Sequence, residues 1–376
     1  MATKQENHER YLTRLTGIPT AAGREDRVID WIEAWADRRS TVRLRRDRYG
    51  NLMLQREHAR AAGPIIFQAH LDHPAFVVTR VAGHMVEAEF RGGVRDAFFV
   101  GSEVVIHHGE RTLGPGRVAE LLNRDDQPAE HASGGRDQQV RVEFDEPSDA
   151  APRDVMTWNL PAPRIDERGR LHAPACDDLA AVAAALAAFE DAGKLPGRPD
   201  VRVLLTRAEE VGFVGAIGTC RANFIPPDSR LITLENSKSF PDSPIGGGPI
   251  LRVGDRTSTF DPELTYRLGK IGEQLESEDE SFKWQRKLMA GGTCEATAFQ
   301  ALGVTASSLC LPLGNYHNMN EETGKIDSES IALADYHGLI RFLTRIAARI
   351  DEPSKTPPLT KRLDDIFDRR QGLLKG

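Results

Sequence analysis

The chain is short of several things. Four cysteines in 376 residues (Cys176, Cys220, Cys294, Cys310) show no C-x-x-C spacing, too few for a disulfide framework and wrongly spaced for a thiolate zinc site. There is no surplus of positive charge: the formal net charge is -7, which removes the electrostatic basis for nucleic acid or an anionic membrane as partner. No apolar run approaches a membrane span, and the opening "MATKQENHERY" lacks the apolar segment of a signal peptide. The expected place is the reducing cytoplasm. What remains is a soluble composition, 40% hydrophobic and 28% charged, long enough for two domains.

The hydrophobic patterning changes twice along the chain. "GPIIFQAHLD", "DVRVLLTRA", "SRLITLEN" and "VTASSLCLPL" are short, nearly continuous apolar runs, as in strands buried on both faces. Helical stretches alternate with them: an Ala/Leu-rich helix after Asp177-Asp178, short ones at "FVGAIGTCRA" and "CEATAFQALG", and a closing amphipathic helix at "SIALADYHGLIRFLTRIAARI". "TVRLRRDRYGNLMLQRE" has the form of a hairpin, and the tail beyond a proline-rich linker predicts one extra surface helix. Between residues 74 and 172 the pattern is β-like throughout, broken by Gly, Pro and charge, with a polar loop at "NRDDQPAEHASGGRDQQ". The expected fold is an α/β/α sandwich with a mostly parallel sheet, residues 1–73 and 173–376, and an inserted small β-barrel domain at 74–172.

Acidic and imidazole residues collect where those apolar runs end. His70 and Asp72 follow the first, Glu209 and Glu210 the second, Glu235 the third and His317 the fourth, while Asp177 opens the long helix. In open α/β sheets ligands sit beyond the carboxyl ends of the strands. Two histidines and three carboxylates, one shared, make two matched metal sites: His70, Asp177 and Glu235 on one, Asp177, Glu210 and His317 on the other. A bridging aspartate holds such ions about 3.5–4 Å apart, and a hydroxide between them would balance the remaining charge. Glu209 is then free to act as general base, and Asp72 would orient the His70 ring. Each piece has a plainer explanation. H-x-D is commonly a surface pair, adjacent glutamates a solvated charge, and Asp-Asp a helix cap. Only their conjunction points to a metal centre. His107, His108, His337 and the "GGGP" loop are better explained as surface or turn residues.

The same segments resemble, in order, the dinuclear metalloaminopeptidases of the glutamyl/leucyl and deblocking type. "LRRDRYGNLML" is similar to their D-x-x-G-N-L hairpin and "AHLDHPAFVV" to AH-x-D-x-x-G-F. "CDDLAAV" is similar to D-[DN]-R-x-G, "AEEVGFVGA" to EE-x-G-x-x-G-A and "GNYHN" to R-Y-x-H. The resemblance covers residues 12 to 345. It implies an α/β hydrolytic domain with an inserted β-barrel serving assembly or substrate access. It also implies two divalent ions per subunit (zinc or cobalt, with manganese possible), short peptides as substrates, and a homo-oligomer between dimer and tetrahedral dodecamer. His70, Asp177, Glu210, Glu235 and His317 fall on the family's ligands, Glu209 on its base, and Asp72 behind His70. Leu179, Cys294, Glu295, Asn315 and His73-Pro74-Ala75 depart from the family pattern near the expected groove, which leaves substrate preference open. Two other readings stand beside the aminopeptidase: an amidohydrolase or carboxypeptidase-like deacylase of N-acyl substrates, and a non-catalytic shell protein.

Overall fold

The structure is a computed structural model that describes residues 3–56, 63–122, 138–197, 199–352 and 359–374. The stretch expected as a polar loop lies, at 123–137, outside these residues. Eight strands form the central sheet in the order Val42–Arg46, Leu52–Arg56, Val201–Thr206, Ile65–His70, Arg230–Lys238, Thr305–Leu313, Ile250–Asp255, Gln285–Met289. The four middle strands are mutually parallel. They are also the four continuous apolar runs, because a strand covered on both faces has no polar side to show. The hairpin joins one flank antiparallel, and Ile250–Asp255 runs antiparallel on the other.

Each face of the sheet is covered by helices. The larger core lies under Lys4–Leu15, Asp26–Asp37, Leu179–Ala192, Pro262–Glu278 and Leu333–Arg349. Leu179–Ala192 is buried almost all round, and its many alanines let neighbouring helices and the sheet approach closely. The opposite face carries two short helices, Val214–Arg221 and Glu295–Ala301, over a smaller core. The first starts hard against the strand before it: a Cβ on Gly215 would lie 2.2 Å from the Arg207 carbonyl oxygen, so only glycine fits.

Six strands between Ala75 and Trp158 close into a barrel around its own core, where Phe76, Phe90, Phe99 and Trp158 pack edge to face. The barrel ends at Trp158. The two short strands that follow within the expected insertion, Arg164–Ile165 and Arg170–Ala173, form a three-stranded sheet with Glu329–Ala332 beside the closing helix. The tail forms the expected surface helix, Leu359–Arg370, which exposes Leu363, Ile366 and Phe367.

Candidate metal centre

The site forms where the parallel strands run out. The His70 strand ends at His70 itself, and the chain then turns, so Asp72 no longer shares a pleat with it. The next strand ends at Thr206, and Ala208 takes a left-handed conformation (φ 51°) just before the glutamate pair. That turn breaks strict alternation of faces, so Glu209 and Glu210 can both point inward. His317 is likewise left-handed (φ 54°), as are its neighbours Asn315 and Asn318. Non-glycine residues in this region cost of order 1–3 kcal/mol each and persist where surrounding contacts dictate them.

Those contacts come from buried acids that accept main-chain N–H bonds. Asp72 accepts from the Glu209 and Glu210 amides, both at 3.0 Å. Glu329 accepts from Cys176 (2.7 Å) and Asp177 (2.9 Å) with one oxygen and from His317 (2.9 Å) with the other, tying two turns of the site together. Glu25 accepts from Gly23 (2.7 Å) and Ala208 (3.0 Å) and pairs with Arg207. Asp178 accepts from the His70 amide (3.2 Å) and from Asn236 (2.8 Å).

The two imidazoles are held in matching tautomers. His70 Nδ1 lies 3.1 Å from the Asp72 carbonyl oxygen, and His317 Nδ1 lies 2.7 Å from the Gly93 carbonyl oxygen. A carbonyl only accepts, so each Nδ1 carries a hydrogen, which leaves Nε2 as the nitrogen turned toward the acids and able to take a cation. The ring-orienting contact expected of the Asp72 carboxylate is therefore made by its carbonyl. The carboxylate stands farther off, at 3.6 Å, and supports the glutamate turn instead.

The free nitrogens face the acids. His70 Nε2 is 3.5 Å from Asp177 Oδ1 and 3.9 Å from Glu209. His317 Nε2 is 3.5 Å from both Asp177 Oδ2 and Glu210 Oε1. Asp177, Glu210 and His317 bring ligand atoms within 4.8 Å of one another, as do His70, Asp177 and Asp178, and His70, Glu209 and Glu210. Glu235 belongs to none of these sets. Availability still favours it over Asp178, whose oxygens already accept hydrogen bonds, whereas Glu235 Oε1 is buried without a partner.

Buried carboxylates crowded together resist ionisation. Burial and neighbouring acids raise Glu209 and Glu210 well above the usual carboxylate range, and burial pushes Glu235 up to about 8. Asp177 goes the other way: burial opposes its charge, but His317 and His70 outweigh it. Burial would also hold His70 neutral, yet Glu209 and Asp178 bring it well above its ordinary value. The donor set fits divalent cations. Asp177 Oδ1, Glu210 Oε1 and Glu235 Oε1 are buried with no hydrogen-bond partner among the described residues, and the first two lie 3.5 Å from an imidazole Nε2. Mixed nitrogen and carboxylate donors suit zinc, cobalt or manganese.

The departures from the family pattern do not form one groove wall. Leu179, Cys294 and Glu295 are buried, and His73 sits behind the site, bonded to the Asp177 carbonyl and to Asn318 (2.9 Å). Asn315 does line a cleft of about 590 Å³, together with Tyr316, Lys238 and Arg164. The side chains read as surface or turn residues have local partners: His107 meets Thr157, His108 meets Asp154, His337 meets Glu9, and Asp335 accepts from Gly246 and Gly248. Among the described residues no helix is long and apolar enough to cross a membrane.

A doubly covered, mostly parallel sheet with acids and imidazoles at its strand ends defines a metallopeptidase-type hydrolase fold. The chain belongs to the M42 glutamyl aminopeptidase family, whose profile matches residues 50–332. It is a peptidase. Its fold is shared with the TET1 peptidase of Pyrococcus horikoshii (19% identity over 90% of this chain and 99% of that one, TM-score 0.71). A TET aminopeptidase from a marine-sediment thaumarchaeon is also similar (18% identity, 93% and 98% covered, TM-score 0.74). So is an M18 aminopeptidase of Thermotoga maritima (14%, 92% and 96%, TM-score 0.62). Comparison with curated proteins gave no match.

Proposed function

We propose that the protein is an aminopeptidase that removes N-terminal residues from short peptides, using two divalent ions per subunit. His70, Asp177 and Glu235 would hold one ion, and Asp177, Glu210 and His317 the other. One observation carries this reading: buried oxygens of Asp177 and Glu210, without a hydrogen-bond partner among the described residues, lie 3.5 Å from the Nε2 atoms of two imidazoles whose Nδ1 hydrogens are directed at carbonyls. When bound, such ions polarise the scissile carbonyl and acidify water.

The rest falls to the chain. Glu209 is the most accessible acid of the cluster and makes no side-chain bond that would use up its oxygens, so it takes the proton from the attacking water and delivers it to the leaving amine. Asp72 and Glu25 fix the turn that aims it. His70 and His317 would each offer Nε2 to an ion, because their Nδ1 hydrogens are directed at carbonyls.

The test is metal content of the purified chain together with hydrolysis of aminoacyl amides and N-acylated analogues, with and without chelator. Release from free N-termini supports the aminopeptidase. Cleavage of blocked substrates alone would turn the reading to an N-acyl amidohydrolase, and the absence of chelator-sensitive hydrolysis to a non-catalytic shell protein. Glu209→Gln should keep the metal and lose hydrolysis by about 10²–10⁴-fold.

The Pyrococcus TET1 peptidase can assemble into a tetrahedron or a large octahedral shell, and this chain is read as a homo-oligomer of the same kind. The domain carrying the barrel, 74–172, is assigned to assembly and substrate access. Val100, 62% exposed on the barrel, fits a contact there. Light scattering decides it, and a monomer at micromolar concentration counts against it. The negative charge and the free cysteines suit a cytoplasmic enzyme.

A further inference from the structure

Behind the metal centre, one face of the central sheet carries a row of polar side chains. The register sets four of them side by side: Gln68 beside Thr233, Thr233 beside Ser308, and Ser308 beside Arg252. Gln68 and Thr233 lie two residues before His70 and Glu235 on their strands. All four point toward the two short helices, since Ile66, Leu231 and Ala306 on the same pleats belong to that smaller core. Glu295 enters from helix Glu295–Ala301, accepting from Thr206 at 2.8 Å and from Gln68. Gln68, Thr233, Ser308 and Glu295 are fully buried, and Arg252 is 3% exposed.

Five atoms of this group have no hydrogen-bond partner among the described residues: Gln68 Oε1, Thr233 Oγ1, Ser308 Oγ, Arg252 Nε and Glu295 Oε1. Arg252 donates only to Ser237 at 3.3 Å, lies 6.0 Å from the Phe260 ring, and forms no ion pair among the described residues. A buried guanidinium on the sheet and a buried carboxyl, which burial raises to about 7, therefore lie on this side of the sheet without forming an ion pair among the described residues. A dry interior does not tolerate separated charges beside unpaired polar atoms. Thr233 and Ser308 face each other on strands about 4.8 Å apart, yet their hydroxyls do not bond each other. A spacing of that order admits one water bonded at about 2.8 Å to each hydroxyl.

We propose that this face encloses a small cluster of buried water molecules running from Glu295 past Gln68, Thr233 and Ser308 to Arg252, which bridges the two separated charges behind the metal centre. Each water finds two or more protein partners there, the condition for stable burial. The site binds water rather than a further cation, because the guanidinium forms one of its walls. It does not depend on the aminopeptidase reading, and Thr233 and Ser308 play no part in that chemistry.

The sign of a stability change tests it. Thr233→Val keeps the side-chain shape and Ser308→Ala removes only a hydroxyl. If these hydroxyls are unpaired in a dry core, removing them raises Tm. A water cluster predicts the reverse: each variant lowers Tm by several degrees, and the double variant by less than the sum, since both anchor the same waters. A rise, or no change, in either single variant overturns the proposal. Should a variant fail to fold, a crystal structure of the unaltered chain decides. A water bonded to both Thr233 Oγ1 and Ser308 Oγ is expected, and a direct Arg252–Glu295 ion pair would refute the cluster.

Discussion

Glu329→Gln separates support of the metal centre from support of the fold. Glu329 is fully buried, and its two oxygens accept three main-chain N–H bonds, two from the turn of Asp177 and one from the turn of His317. Glutamine offers one acceptor oxygen and one NH₂ group. Whichever way it turns, a donor meets a donor, and at least one main-chain N–H is left buried and unpaired. Hydrogen bonds to a charged acceptor contribute about 1.5–3 kcal/mol each, and an orphaned buried N–H costs about 1–3 kcal/mol. Against this, the variant relieves a carboxylate whose pKa burial and Asp177 raise. The net expectation is a loss of about 2 kcal/mol in the metal-free protein, a fall of a few degrees in Tm. Two ligand turns lose their common anchor, so affinity for divalent ions should fall about 10–100-fold, as for other residues that orient ligands. Thermal unfolding with and without metal, with calorimetric titration of zinc or manganese, reads both quantities. Unchanged metal affinity, even with a lowered Tm, would refute the claim that Glu329 sets the ligand geometry.

Chelation should abolish hydrolysis and lower Tm, and re-addition of metal at about a thousand times its Kd should restore about 4 kcal/mol of stability; a Tm indifferent to chelator argues against a metal bound by the folded state. Burial, then Arg27, lowers His107 to about 4, while the unfolded ring titrates near 6.5. Its contribution is present above pH 6.5 and lost as pH falls from there to about 4, worth about 2 kcal/mol once partial exposure is discounted. Urea unfolding at pH 7.5 and 5 should show a smaller pH effect in His107→Gln than in the parent.

The parallel strands were legible because burial on both faces leaves an unbroken apolar run, and the long helix because alanine and leucine fill nearly every position. The flank at 250–289 was not read, although part of its signal is present. Helix Pro262–Glu278 begins with an Asp261 cap and a proline in its first turn, and its buried positions Leu264, Leu268, Ile271 and Leu275 follow helical spacing. Its neighbour Ile250–Asp255 is harder. That strand runs antiparallel beside Thr305–Leu313, and no pattern within six residues says which way a strand enters a sheet. The end of the barrel at Trp158 is similarly silent, because the β-like pattern continues into two short strands, of which Arg170–Ala173 pairs with residues more than 150 positions later.

At the site, the side chains that face one another were visible in sequence because each lies at or just beyond an apolar strand run or just before the long helix, although the strand of Glu235 continues to Lys238. The acids that hold them were not. Glu329 and Glu25 act through main-chain N–H groups, which every residue possesses, so nothing in the neighbouring sequence marks their partners. Asp72 shows where a sequence rule stops. The rule that residues two apart share a face holds only within a strand, and this strand ends at His70. Past that point the Asp72 carbonyl turns to His70 and its carboxylate to the glutamate turn. One residue thus orients a candidate ligand and the candidate base together. Asp72→Asn keeps the carbonyl but leaves one amide of the glutamate turn without its acceptor, so it should lower kcat and weaken metal binding less than loss of the His70 ring does. A loss of metal equal to that of a His70 variant would assign the carboxylate to the ring after all.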